Sequence, residues 1–81
     1  MRLDKYLKVS RLMKRRTVAN EACDGGLVLV NGKPQRASYS VKVGDVLTLH
    51  FGQRTLQVEI LQVEESVGKA EAAALYREIQ A

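Results

Sequence analysis

The chain holds a single cysteine, Cys23, and a single histidine, His50, among 81 residues. One thiol cannot close an intramolecular disulfide, and this pair leaves no HExxH-type or paired-cysteine spacing for zinc. A phosphate-cradling glycine loop is missing as well, because Gly25-Gly26 is accounted for by helix termination. Glu64-Glu65 lies in a polar connection with no sign of general acid/base chemistry. There is no apolar signal-peptide core, no lipidation motif and no uncharged run near the roughly 18 residues of a membrane span. The chain is therefore expected in the cytosol, away from membranes. Its length makes one small domain whose core supplies only about 3–5 kcal/mol of net stability, with no room for a separate catalytic domain. Binding without a cofactor, and not catalysis, is the expected function.

Acid is nearly absent from the first sixteen residues. MRLDKYLKVSRLMKRR carries Arg2, Lys5, Lys8, Arg11, Lys14, Arg15 and Arg16 against Asp4 alone, a local charge of +6. The remaining 65 residues carry six basic and eight acidic side chains, or −2, so the formal +4 of the whole hides a strong asymmetry. Solvated helix faces usually mix signs, and a segment so one-sided points to a polyanionic partner.

Leu3, Tyr6 and Leu7 fall on one side of a short helix that ends near Ser10, with Asp4 in its first turn. A second helix is predicted from Arg15–Thr17 to Asp24 on the spacing of Val18, Ala19, Ala22 and Cys23. Leu27–Val30 followed by Asn31-Gly32 predicts a type I′ hairpin, with Pro34 confining the returning strand to a sheet edge. Val46–Phe51 alternates so that Leu47, Leu49 and Phe51 face the core, and Thr55–Val63 returns with Leu56, Val58 and Ile60 on one face. After Ser66–Gly68 the alanine-rich tail is predicted to form a terminal helix that docks on the sheet or frays. The expected class is α+β, two short helices packed on a small, mostly antiparallel sheet, with domain limits at 1–65 and a helical tail at 66–81.

The run RLDKYLKVSRLMKRRTVANEACDGGLVLVNGKPQRASYSVKVGDVLTLHF resembles the S-four-type RNA-binding domain, or alpha-L RNA-binding motif, over roughly residues 1–52. The most specific pieces are RLDKYL, KRRT, GLVLVNG and VKVGDVL. Within that superfamily the short form with FGQRTLQVEIL after the motif is similar to the RqcP family of bacterial ribosome-associated quality control, with the fifteen-kilodalton heat-shock proteins next. The resemblance implies association with large ribosomal subunits holding peptidyl-tRNA, contact with rRNA and tRNA, and cooperation with RqcH in adding a C-terminal alanine tail. It also implies the alternative of a heat-shock-type recycling factor. A monomer is expected. A basic module for an acidic protein or a membrane surface is the reading from a different class, and DNA binding by two short helices is a third.

RNA helices are recognised mainly through shape, phosphates and ribose hydroxyls, a task for which arginine's planar fork is better suited than lysine's point charge. Arg2, before the first helix, and Arg16, opening the second, rank highest. Lys14, Arg15 and Arg11 extend the patch, while Lys5 and Lys8 serve equally well as solubilising groups. Asp4 either accepts backbone N–H groups of its helix or orients Arg2 or another basic side chain towards RNA. Lys33, Arg36 and Arg54 are read as edge protection. Tyr6 is read as core, Tyr39 is left open, His50 is read as surface, and Cys23 as a small buried hydrophobe.

Overall fold

Asn31 and Gly32 both take positive φ, 52° and 85°, as a type I′ turn requires. They pair Val30 with Lys33 in a hairpin. The computed structural model describes residues 1–79. Its elements are α1 (Leu3–Val9), α2 (Arg16–Asp24), β1 (Val28–Val30), β2 (Lys33–Pro34), β3 (Val46–Phe51), β4 (Arg54–Ile60), α3 (Lys69–Ala72), a 3-10 turn (Ala73–Leu75) and β5 (Tyr76–Ile79). The strands form one sheet in the order β2-β1-β3-β4-β5, with every neighbouring pair antiparallel. Pro34 sits on the edge strand, where its missing N–H costs no ladder bond.

Leu3, Tyr6 and Leu7 of α1 and Ala19 and Cys23 of α2 meet Val28, Val30, Leu47, Leu49, Val58 and Ile60 of the sheet in one core. Burial, with the charges of Asp4 and Asp24 adding to it, pushes the Cys23 thiol up to about 12, so it packs as a hydrophobe and is a poor nucleophile. The start of α1 is held by the loop before β3. The N–H of Leu3 donates to the Tyr39 carbonyl at 2.8 Å, that of Asp4 to Ala37 at 3.3 Å, and that of Val41 to Met1 at 2.9 Å. Arg2 pairs with Ser40 in an isolated antiparallel bridge. The helix thus begins at a fixed place without a side-chain cap at Arg2.

Two expectations need correcting. Phe51 is not part of the core: Leu47 and Leu49 are fully buried, whereas Phe51 is 39 % exposed. Alternation keeps it on the helix-facing side of β3, but the strand outruns the ground that α1 and α2 cover. The C-terminal segment is helical only through Leu75, then extends as β5 along β4. The open edge of β4 offers unpaired backbone groups, and satisfying them outweighs the weak helix preference of a short alanine-rich stretch. Leu75 and Ala72 are buried by this docking, the Tyr6 hydroxyl donates to the Leu75 carbonyl at 2.7 Å, and Arg77 pairs with Glu59 across the strands. The last two residues of the predicted tail helix, 80 and 81, lie outside the described residues.

Candidate nucleic-acid interface

Asp4 is the centre of the basic end. Its side chain is almost wholly buried, yet it lies beneath two half-exposed arginines. Arg2 donates through Nε to Oδ1 at 3.1 Å and through Nη2 to Oδ2 at 3.3 Å. Arg16 Nε lies 3.5 Å from Oδ2. Asn20 Nδ2 donates to Oδ2 at 3.2 Å and the Lys5 backbone N–H to Oδ1 at 2.8 Å. Asp4 thus takes an N–H of its own helix and also ties together residues from two helices. Thr17 and Glu21 complete an open concavity of about 470 Å³ around the cluster.

Burial pushes the Asp4 carboxyl up, but the hydrogen bonds from Arg2, Asn20, Arg16 and the Lys5 backbone outweigh it and hold the group below its ordinary 3.8. A carboxylate with a depressed folded-state value contributes stability that is fully present above the unfolded value and is lost as pH falls through the folded one. Asp4→Asn should therefore be less stable than the parent at neutral pH, and the gap should close as pH falls below about 4. Denaturant midpoints measured at intervals from neutral pH to about 2 check this. A gap that stays constant over that range would remove the ionised carboxylate from the account.

A guanidinium has five N–H donors in a planar fork. Arg2 turns one edge to Asp4 and Arg16 only its Nε, so the Nη groups of Arg16 and the outer Nη of Arg2 are left for an external acceptor. The geometry is that of two forks held by one buried anion, preorganised for phosphate or carboxylate.

The other basic residues do not join this cluster. Lys5 is engaged by Glu65. Lys8 and Arg11 line a separate concavity with Val9, Glu65, Ser66 and Val67. Arg11 takes a φ of 63° just past the C-cap of α1, which turns the chain and sends Lys14 and Arg15 to another side. There they line a groove with Leu12, Met13, Val18 and Phe51. Sequence reasoning missed Asn20 and Glu65. Asn20 stands four residues after Arg16 on α2, the spacing that puts two side chains on one helix face, and this could have found it. Glu65 reaches Lys5 from sixty residues away, and no local pattern signals that. Among the described residues no group of three or more His, Cys, Asp or Glu could hold a metal ion, and no helix is long and apolar enough to cross a membrane.

Residues 1–47 match the model of the S4 domain family. The chain is 55 % identical to an RQC P-site tRNA stabilizing factor of Halalkalibacterium halodurans, over 94 % of this chain and 86 % of that protein. It is 50 % identical to the protein of the same description in Bacillus subtilis, over 94 % and 88 % of the two. Heat Shock Protein 15 of Vibrio cholerae, whose structure is described as trimeric, superposes with a TM-score of 0.91 at 36 % identity, covering 98 % of this chain and 81 % of that one. The α+β architecture, the family-model match across α1, α2, the β1–β2 hairpin and the start of β3, and relatives at half identity over nearly the whole length agree: the chain belongs to the S4 domain family, in the branch that holds the RQC P-site tRNA stabilizing factors.

Proposed function

We propose that this protein is an RNA-binding factor of ribosome-associated quality control. It binds the large ribosomal subunit that carries a stalled peptidyl-tRNA, contacts rRNA and tRNA, and supports the addition of a C-terminal alanine tail together with RqcH. It acts in the cytosol as a single copy, without a cofactor and without chemistry of its own. The observation that carries the reading is the pair of arginine forks, Arg2 and Arg16, held half-exposed over the buried carboxylate of Asp4. A rigid pair of this kind suits the phosphates and ribose hydroxyls along the shallow groove of an RNA helix, where bases are not read. The relatives' name, P-site tRNA stabilizing factor, supports the same reading.

Arg2 and Arg16 make the principal contacts, Asp4 positions them, and Lys14 and Arg15 follow along the link into α2. Lys8 and Arg11 touch RNA from a second surface, and Lys5 contributes least because Glu65 occupies it. The likeness to Heat Shock Protein 15 favours a second reading, recycling of blocked large subunits, which keeps the same RNA contacts but needs no alanine tail.

The test is sedimentation. The protein should travel with large subunits and be released by ribonuclease, and its affinity should fall with salt by about 0.7–0.9 in log K per log salt for each phosphate neutralised. An affinity nearly independent of salt would defeat the electrostatic account. Loss of alanine tails in cells lacking the protein separates quality control from recycling.

A further inference from the structure

Phe51 is where the sheet's apolar alternation runs past the core. Its ring is 39 % exposed at the end of β3, and Val18, on the first turn of α2, is 50 % exposed. Together with Leu12 and Met13 they line a groove of about 480 Å³ whose other lining residues are Lys14 and Arg15. No acidic side chain lines it, and neither cation has an ion pair among the described residues. The volume falls in the range of about 300–1,000 Å³ typical of small-molecule sites. The groove is also a neighbour of the arginine pair. Thr17 lines one concavity and Val18 the other, so the two flank the first turn of α2, with Lys14-Arg15-Arg16 running between them.

An occupant matching this lining is flat and apolar on one part and anionic on another. We propose that the groove holds a single unstacked nucleobase of the bound RNA, resting on Phe51 and Val18 with its phosphate on Lys14 and Arg15. This rests on the RNA-binding reading and adds to it a place for an unpaired nucleotide beside the double-helical contact at Arg2 and Arg16. Aromatic side chains take splayed bases with little regard to sequence, because every base has a π-face. An extended acidic peptide fits less well, since only six residues form the lining.

The sequence contains no tryptophan, so Phe51→Trp places a sole tryptophan in the groove, excited selectively at the red edge where the three tyrosines do not absorb. The probes are an RNA hairpin with a loop of unpaired adenines and a blunt RNA duplex with the same number of phosphates. Phe51→Trp should keep hairpin affinity and be quenched by the hairpin but not by the duplex. Phe51→Leu, at a half-open position that leaves the melting temperature near the parent's, should lower hairpin affinity by about five- to fiftyfold and leave the duplex unchanged. Equal effects on the two RNAs, or none on either, would overturn the proposal. Arg16→Ala separates the two readings. If it weakens both RNAs while Phe51→Leu weakens neither, the groove is not a base site and the RNA-binding reading stands. If the parent binds neither RNA, both readings fall. Loss of large-subunit association in Phe51→Leu with hairpin affinity intact would assign the groove to a protein partner and overturn the base site.

Discussion

Arg16→Ala is expected to weaken association with large ribosomal subunits by about ten- to a hundredfold while the circular dichroism spectrum and melting temperature stay near those of the parent. The size follows from hydrogen bonds to charged groups, worth about 1.5–3 kcal/mol each, with a tenfold change per 1.4 kcal/mol. The unchanged fold follows from position. The Arg16 side chain is half exposed, and Asp4 keeps Arg2, Asn20 and the Lys5 backbone when Arg16 is gone. Arg16→Lys should recover only part of the loss, since an ammonium keeps the charge but has no fork to present on two sides. Asp4→Asn should weaken association too, although its buried side chain lies beneath the surface, because the guanidiniums lose the anion that aims them. Cosedimentation titrations of the three variants decide the matter. Unfolding of Arg16→Ala would make its role structural, and full association by a folded Asp4→Asn would remove Asp4 from the positioning account.

Leu75→Ala should have the largest effect on stability. Leu75 is 1 % exposed, belongs to the core, and its carbonyl takes the hydrogen bond from the buried Tyr6 hydroxyl. Truncating a buried leucine costs about 2–5 kcal/mol, comparable with the net stability of a domain this small, about 3–5 kcal/mol. The variant should melt roughly 10–30 °C lower or be largely unfolded at 37 °C. Tyr6→Phe should cost less, about 0.5–1.5 kcal/mol, because the Leu75 carbonyl keeps the N–H groups of Leu61 and Gln62. Thermal melts followed by circular dichroism measure both. A Leu75→Ala melt within a few degrees of the parent would mean that the C-terminal segment lies on the domain without completing it.

The helices and the first hairpin were legible because their signals are local. Leu3, Tyr6 and Leu7 repeat at helical spacing, Gly25-Gly26 follows α2, and Asn31-Gly32 has few uses other than a tight turn. The end of the chain was misread because Tyr76–Ile79 has no strong preference of its own and becomes a strand through what the edge of β4 lacks. Phe51 was misread for a related reason. Period-two alternation says which side a residue faces but not how far the opposing layer reaches. At the basic end, charge counting found the segment, and the chemistry of arginine with position at the helix starts ranked Arg2 and Arg16, but composition treats eight neighbours in sequence as one patch. The positive φ at Arg11 and the link to Arg16 distribute them over separate surfaces, a division that exists only in three dimensions.

The bond from the Tyr6 hydroxyl to the Leu75 carbonyl spans 69 positions of the sequence, and β5 comes last in sequence among the strands of the described residues. During synthesis the first helix has its binding side chains long before its core has its final wall. Tyr6 and Ile60 wait for Leu75 and Tyr76 until those residues have left the ribosome. A chain released before Leu75 keeps the whole basic segment but lacks the strand that closes the sheet, leaving β4 as an open edge that invites aggregation or proteolysis.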